Sequence, residues 1–499
     1  MNTTDKNISK YLYQEMDKEA GIAHAQKRTK IVATVGPACD TYEKLLELVK
    51  AGVNVFRLNF SHGTNDDKKT IIKYITRINN EEPYNIGILG DLQGPKVRVG
   101  ELKETSIHLE TGDKLIFTTE KQVGTKDKIY ISYPNLTKDV IVGERIFLDD
   151  GKMEIKVEEI LNEKEISVSV ILGGTLLPKK GVNFPDSTLS LPSLTEKDLA
   201  DLEFIIEQKI NWVALSFVRK EEDILDLKQR IKQKSSKLKV IAKIEMPEAV
   251  KNIRNIILAS DAIMIARGDL GVEIPIEQVP IVQKDIIRKC IRRAKPVIVA
   301  TQMMESMIDR TKPNRSEVTD VANAVLEGTD AVMLSGETAT GAYPKLVVET
   351  MTRIIQYVES TLYHYNREDL LAPQPHSPSF ISDAICYNAC KLAQDAKADA
   401  LIGMTQSGYT GFMLSSYRPK SPLFIFSKER TLINQLSLSW GVRGLFYNEE
   451  VSIDDIIFDQ INILKERGYL KKGDIVVNTG SIPVKLHLNT NTIKITMVD

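Results

Sequence analysis

Four cysteines in 499 residues are too few for a disulfide-built scaffold. Cys386 and Cys390 lie four apart on a helical stretch, with no histidine or further cysteine near them in sequence, so small core residues are expected there rather than a metal site. A formal net charge of −1 gives no general electrostatic drive toward nucleic acid or membrane, and neither partner is expected. No apolar run reaches membrane-spanning length, and Met1 to Lys30 lacks the apolar core of a signal peptide, which makes a cytoplasmic location the expectation. No Gly-x₄-Gly-Lys-Ser/Thr loop occurs, so any nucleotide must be held without a Walker cradle. Internal repeats and low-complexity tracts are also missing. What is present is ordinary: 42% apolar and 27% charged residues, enough for about three domains with ample core.

After a polar segment (residues 1–27, with a short helical pattern from Ile8 to Lys18), strands and helices alternate. Strands are predicted at Ile31–Val35, Val53–Phe56 and Ile86–Leu89, the last ending at Asp91, with helices at Tyr42–Lys50 and Asp66–Asn79. The rhythm stops over residues 97–191, where period-two runs such as Lys114–Phe117, Lys128–Ile131 and Glu154–Val157 are separated by turn signals. These predict a small antiparallel β domain. Strands then return at Trp212–Leu215, Val240–Ile244, Ala262–Ala266, Pro296–Ala300 and Asp330–Leu334. Helices are predicted near Thr195–Gln208, Glu221–Gln233, Glu248–Leu258, Ile276–Ala294, Arg315–Leu326 and Tyr343–Tyr363.

Three strands before the insertion and five after it make eight, the count of a (β/α)₈ TIM barrel. An open doubly wound sheet would show a glycine fingerprint after its first strand, and Val35-Gly36-Pro37-Ala38 is none. The expected organisation is a barrel from 28–96 and 192–363, a β lid over its rim from 97–191, a linker at 364–379 and a C-terminal three-layer α/β domain from 380–499.

Two stretches concentrate charge at strand ends: Lys243-Ile-Glu245, and Arg267-Gly268-Asp269 about twenty residues on. Side chains alternate along a strand, so Lys243 and Glu245 share a face. Two carboxylates beside a lysine suit Mg²⁺, which takes one or two protein carboxylates plus substrate oxygens; the lysine would meet developing phosphoryl charge. Either stretch alone also fits a surface salt bridge. The other strand ends decide between the two. Arg57, Asn59, Ser61 and His62 follow strand two, Asp91 strand three, Ser216 and Arg219 strand four, Thr301 and Gln302 strand seven, and Ser335 and Glu337 strand eight. Polar groups at nearly every such end point to a catalytic face.

The segments Ala33–Ala38, Arg57–Gly63, Asp91–Arg98, Lys180–Asn183, Thr195–Asp198, Lys243–Glu245, Ala266–Glu273, Ala300–Met303 with Glu305–Met307, and Ser335–Thr338 resemble, in order and spacing, the pyruvate kinase family. The C-terminal part resembles it more loosely, through Thr405–Gly408, Tyr417–Pro419 and Asn491–Ile493. The resemblance implies phosphoryl transfer between phosphoenolpyruvate and ADP, giving pyruvate and ATP, in a homotetramer. It implies Glu245 and Asp269 as ligands of Mg²⁺ (or Mn²⁺), and backbone amides near Arg267, Gly268 and Asp269 on the substrate carboxylate. Lys243 and Arg57 would hold the phosphoryl group, and Thr301 would lie near the protonated carbon, with Ser335 and Glu337 as relay candidates. Asn59, Phe60, Ser61, His62, Arg98 and Lys197 fall on the nucleotide side; His62 could equally orient a loop.

Departures from the family pattern carry expectations of their own. Members that need K⁺ bind it through residues matching Asn59, Ser61, Asp91 and the Leu92 carbonyl. They carry Glu where this chain has Lys96, and Thr-Lys where it has Leu92-Gln93. This chain resembles the potassium-independent branch, in which an ammonium from Lys96 would replace the ion. Met246, which follows Lys-x-Glu, should point away from the metal face. The effector loop Thr405-Gln406-Ser407-Gly408-Tyr409-Thr410 keeps the hydroxyls of an anion nest but lacks both basic residues of the regulated pattern. That argues against fructose 1,6-bisphosphate and leaves another phosphorylated effector, or none. Two competing functions remain: another Mg²⁺-dependent pyruvate-enolate barrel (an aldolase or decarboxylase), and a non-catalytic regulatory homologue.

Overall fold

In the computed structural model of the chain, residues 27–360, 373, 377–449, 451–483 and 489–499 are described. The helical pattern Ile8–Lys18 and most of the 364–379 linker lie outside these residues. Eight parallel strands close a barrel: β1 (Lys30–Thr34), β2 (Val55–Asn59), β3 (Gly87–Asp91), β4 (Trp212–Leu215), β5 (Lys239–Ile244), β6 (Ala262–Ala266), β7 (Val297–Ala300) and β8 (Ala331–Leu334). Each pairs with its sequence neighbours, and β1 closes on β8 with Lys30 opposite Ala331.

Alternation along the strands sorts the side chains into two cores. Ile31, Ala33, Phe56, Val213, Leu215, Val240 and Ala242 face the surrounding helices. Val32, Val55, Leu89, Trp212, Ala214, Ile241, Ala262, Met264, Ile298 and Ala331 fill the barrel interior. Burying side chains of this size contributes roughly 1.5–3 kcal/mol each, so the lower barrel can stabilise a polar layer above it. Two residues further along each strand, the inward position becomes Thr34 after Val32, Arg57 after Val55, Asp91 after Leu89, Ser216 after Ala214 and Lys243 after Ile241.

The C-terminal domain closes the opposite end. Leu438 joins the barrel interior cluster. The indole N–H of Trp212 donates to the Gln435 carbonyl (3.3 Å), and the Gln435 amide donates to the carbonyls of Asn211 (3.2 Å) and Lys237 (2.8 Å). Its sheet runs in the order Val442–Phe446, Leu423–Ser427, Ala400–Met404, Ile475–Gly480, Thr492–Met497, with only the last strand antiparallel. Apolar clusters lie on both faces. Strand Val442–Phe446 carries Arg443 and Gly444 in its middle, which interrupt the apolar run that would announce it.

The insertion forms a six-stranded sheet and a two-stranded ribbon. It is antiparallel except where Lys114–Thr118 and Lys128–Tyr130 pair in parallel. The connecting residues 119–127 do not turn back as a hairpin but bridge to Leu102 through Gly124, and so deliver the next strand in the same direction. The expected helix Glu248–Leu258 is two helices, Pro247–Lys251 and Ile253–Ala259. They part at Asn252, whose side-chain amide donates to the Arg219 carbonyl (2.9 Å) and so ties the junction to the segment after β4. Cys386 and Cys390 are free and buried, as core residues.

Candidate active site

The inward layer at the strand ends is a charged cluster. Lys243 Nζ lies 2.8 Å from Glu245 Oε1 and 3.3 Å from Asp91 Oδ1, and donates to Ser216 Oγ at 2.7 Å. Ser216 in turn donates to the Leu92 carbonyl (2.8 Å). Arg57 bonds Asp91 Oδ2 through Nε at 2.7 Å and Thr34 Oγ1 through Nη1 at 3.0 Å. Asp91 thus stands between two cations. Burial would lower the Lys243 pKa, but Asp91, Glu245 and Asp269 together push it above the usual lysine value. Burial opposes ionisation of Asp91, and Lys243 and Arg57 overcome it and lower its pKa. Lys243 is therefore an ammonium at neutral pH, suited to stabilising charge and not to abstracting a proton.

Glu245 differs. Burial and the charge of Asp269 raise its pKa, against the pull of Lys243 and a hydrogen bond from the Phe217 amide (2.8 Å). The charge of Asp269 disfavours ionisation of Glu245, a repulsion that a hard divalent cation would relieve, and Mg²⁺ needs no more than one or two carboxylate ligands from protein. The residues fit the ion. Phe217 has φ 55°, an uncommon conformation for a bulky residue, and it is the residue whose N–H meets Glu245.

Thr301 has φ 67° and Gln302 φ 54°. A β-branched residue in the left-handed region is a strained outlier of the kind that collects at functional sites. Thr301 Oγ1 accepts from the Gly268 amide (2.7 Å) and donates to the Ala300 carbonyl (2.6 Å). The Arg267 guanidinium grips Asp320 through two 2.6 Å bonds and reaches the Thr301 carbonyl at 2.8 Å. Arg267 is thereby a brace under Thr301, and sequence alone gave no sign of its partner Asp320. Arg267 also opens a short helix, Arg267–Glu273, in which Asp269 occupies the first turn. Glu337 accepts from the amides of Ser335 (2.7 Å) and Met304 (3.1 Å), tying the ends of β7 and β8, and burial raises its pKa. Ser335 Oγ is buried with no protein partner.

Beside this cluster a cavity of about 620 Å³ opens, lined among others by Thr34, Pro37, Asp40, Asn59, His62 and Lys68. Of these, Thr34, Pro37, Asp40 and Lys68 were not among the sequence candidates. Lys68 Nζ donates to the His62 carbonyl (2.6 Å), so the loop is fixed through His62's backbone and its ring is left unengaged by that bond. The candidates separate here. Asn59 Oδ1 accepts from the Ser61 amide (3.0 Å). The Phe60 ring is buried in the barrel core against Phe204, and only its carbonyl meets Lys197 Nζ, at 2.6 Å. Lys197 also pairs with Asp201 (2.6 Å). Arg98, on the insertion, donates to the Lys179 carbonyl (3.0 Å).

Among the candidates for a monovalent-cation pocket, Asp91 is engaged by Arg57 and Lys243, the Leu92 carbonyl by Ser216, and Asn59 by Ser61. Lys96 Nζ lies 3.9 Å from Asp269 Oδ1, so the side chain is turned toward the cluster. Met246 is half-buried and packs on the outer barrel core, and it lines a cleft together with Lys96, Phe217 and Glu273. Far from the barrel rim, Thr405, Gln406, Ser407, Tyr409 and Thr410 line a cavity of about 440 Å³ in the C-terminal domain. Its buried Asn478 amide (both atoms) and Gln460 Nε2 have no protein partner, and Lys494 is paired with Asp454 at 2.7 Å. Gly408, at φ 90°, donates its amide to Thr405 Oγ1 (3.0 Å).

Comparison with known proteins agrees with this architecture. Residues 26–348 match the model of the pyruvate kinase barrel domain, and residues 383–496 that of the pyruvate kinase alpha/beta domain. The pyruvate kinase of Geobacillus stearothermophilus is 40% identical over 95% of this chain and 81% of its own length. That of Clostridium perfringens is 40% identical over 94% of this chain and 99% of its own. The crystal structure of a pyruvate kinase from Cryptosporidium parvum superposes with a TM-score of 0.89 at 33% identity, covering 97% of this chain and 98% of that one. The chain belongs to the pyruvate kinase family and is an enzyme of Mg²⁺-dependent phosphoryl transfer between phosphoenolpyruvate and ADP.

Proposed function

We propose that the barrel-rim cluster is where this transfer takes place, with Lys243 as its electrostatic centre. The observation that carries the reading is the Lys243 ammonium, bonded to Glu245, Asp91 and Ser216, with Asp269 in its field. Phosphoryl transfer is mostly positioning and charge stabilisation. Lys243 would stabilise the migrating group, and Arg57, held by Asp91 and Thr34, would clamp the same phosphate. Glu245 and Asp269 would hold the divalent ion, which when bound supplies charge neutralisation on the substrate oxygens. The amides of Gly268 and Asp269 would meet the substrate carboxylate; Arg267 would contribute by bracing Thr301, since its side chain is engaged by Asp320. Thr301 would deliver the proton to the enolate carbon through a relay that includes Ser335 Oγ. Asn59, Ser61, His62, Arg98 and Lys197 would contact nucleotide, with Phe60 acting through its backbone. The insertion would exclude water from the transfer.

The finer readings follow from the same residues. Lys96 would supply the positive charge that K⁺ brings in other members, because its ammonium already faces Asp269. The C-terminal cavity would be an effector site, its unpartnered amides awaiting a ligand or water. With Lys494 neutralised by Asp454, the described lining offers no free cation to a bisphosphate. A cytoplasmic homotetramer, with the catalytic barrel at 28–96 and 192–363 and the effector domain at 380–499, completes the reading; among the described residues no helix is long and apolar enough to span a membrane. An aldolase or decarboxylase gives no reason for the insertion, and a non-catalytic homologue would be expected to lose Lys243, Glu245 or Asp269. The test is a coupled assay with phosphoenolpyruvate, Mg²⁺ and ADP in potassium-free buffer. Full activity without K⁺, and acquired K⁺ dependence in Lys96→Glu, are expected; strict K⁺ dependence of the parent would overturn the role of Lys96. Fructose 1,6-bisphosphate should leave the rate unchanged.

A further inference from the structure

The insertion reaches the barrel through two chain crossings, near Lys96 and near Leu189–Leu191. Arg219 fixes the second by donating to the Leu189 carbonyl (2.6 Å) and the Leu191 carbonyl. Beyond these hinges, one polar contact joins insertion to barrel among the described residues. Asn183 Nδ2 donates to Glu273 Oε1 at 2.7 Å, and no other hydrogen bond or ion pair links residues 97–188 to the barrel. Glu273 ends the helix whose first turn carries Asp269. The insertion's turn at Asp149–Gly151 approaches the same helix, since a Cβ on Gly151 would lie 3.7 Å from Val272. Glu273 is 7% exposed, and its second oxygen has no partner.

We propose that the Asn183–Glu273 hydrogen bond is the latch that holds the inserted domain over the barrel rim, with Glu273 a positioning residue for the transfer site. A bond this short between an amide and a buried carboxyl, at the far end of a helix whose first turn carries a candidate metal ligand, ties lid position to the geometry of that ligand. It needs only an acceptor on Oε1, so it survives protonation of the carboxyl and replacement by glutamine. The groups that face Glu273 are Asn183, Glu248, Asp269 and Glu245; burial, then the three acids, push its pKa up to about 7. A neutral or nearly neutral acid forfeits little by losing solvent, which suits a contact that must open and re-form.

The inference rests on the reading that nucleotide binds between Arg98 of the insertion and the barrel rim. All four cysteines are buried, so spin labels can be directed to introduced ones. Exposed positions for them are Lys121 of the insertion and Glu222 of the barrel, as Lys121→Cys and Glu222→Cys in the full-length enzyme. Against that background, Glu273→Ala and the milder Asn183→Ala should broaden the label-to-label distance distribution. They should also raise the KM for ADP roughly tenfold, with kcat within about threefold. Glu273→Gln should restore both the narrow distribution and the KM. An unchanged distribution in Asn183→Ala, or failure of Glu273→Gln to rescue, overturns the latch. A broadened distribution with an unchanged KM for ADP keeps the latch and overturns instead the placement of nucleotide beneath it.

Discussion

Replacing Lys243 by methionine removes one charge while keeping most of the side-chain volume. The loss can be sized from the site. A unit charge about 4 Å from the migrating group, at an effective dielectric of about 20, is worth about 4 kcal/mol. That corresponds to roughly a thousandfold in rate at about 1.4 kcal/mol per decade. Removing one partner of a buried ion pair generally costs about 3–5 kcal/mol of stability. Here the cost should fall at or below the low end. Asp91 keeps Arg57, Glu245 keeps the Phe217 amide, and the raised pKa of Glu245 lets it take up a proton instead. Steady-state coupled assays with phosphoenolpyruvate and ADP titrated separately at saturating Mg²⁺, alongside thermal melts, should show kcat down about a thousandfold in a folded protein. The KM for phosphoenolpyruvate should move by only a few-fold, because the charge acts mainly on the transition state. If folded Lys243→Met keeps kcat within tenfold of the parent, Lys243 is not the electrostatic centre.

Other perturbations separate the remaining roles. Glu245→Gln should raise the Mg²⁺ concentration for half-maximal activity by tenfold or more, while leaving the melting temperature in chelator near the parent's; an unchanged Mg²⁺ requirement would remove Glu245 from the metal site. Thr301→Ala should slow proton delivery to the enolate more than phosphoryl transfer, seen as a larger solvent isotope effect on kcat; an unchanged isotope effect would argue against the relay. Glu273, with a carboxyl near 7 in the fold against about 4.5 unfolded, binds its proton more tightly when native. Its contribution to stability is present below about pH 4.5 and is lost as pH rises to 7, a change of about 3 kcal/mol. In chelator, Glu273→Gln should therefore melt higher than the parent at pH 8 and with it at pH 4.5; parallel melting curves across that range would contradict the buried-acid account.

Much of this was written in the local pattern. Strand Ala262–Ala266 and helix Glu221–Gln233 occur as expected because their apolar periods are uninterrupted. The charged residues at the strand ends were legible for the same reason: a period of two carries Ile241 to Lys243 and Leu89 to Asp91 on the inward face. What could not be read came from contacts distant in sequence and from backbone strain. No pattern announces that Arg267 will meet Asp320, or that Asn183 will meet Glu273 ninety residues away. The left-handed backbone at Thr301, Gln302 and Phe217 is held by the surrounding barrel against local preference. Nor did sequence announce that Phe60, between the polar rim residues Asn59, Ser61 and His62, turns its own ring into the core. The parallel pairing of Lys114–Thr118 with Lys128–Tyr130 depends on the path of the intervening chain, which short apolar runs do not specify.

The most direct measurement is an anomalous difference map from crystals soaked with Mn²⁺ and oxalate, which imitates the enolate. A single manganese peak should lie about 2.0–2.2 Å from one carboxylate oxygen of each of Glu245 and Asp269, with the Lys243 ammonium facing the pocket beside it. A peak that touches only one of these carboxylates, or that forms elsewhere while Lys243 turns away, would contradict the account.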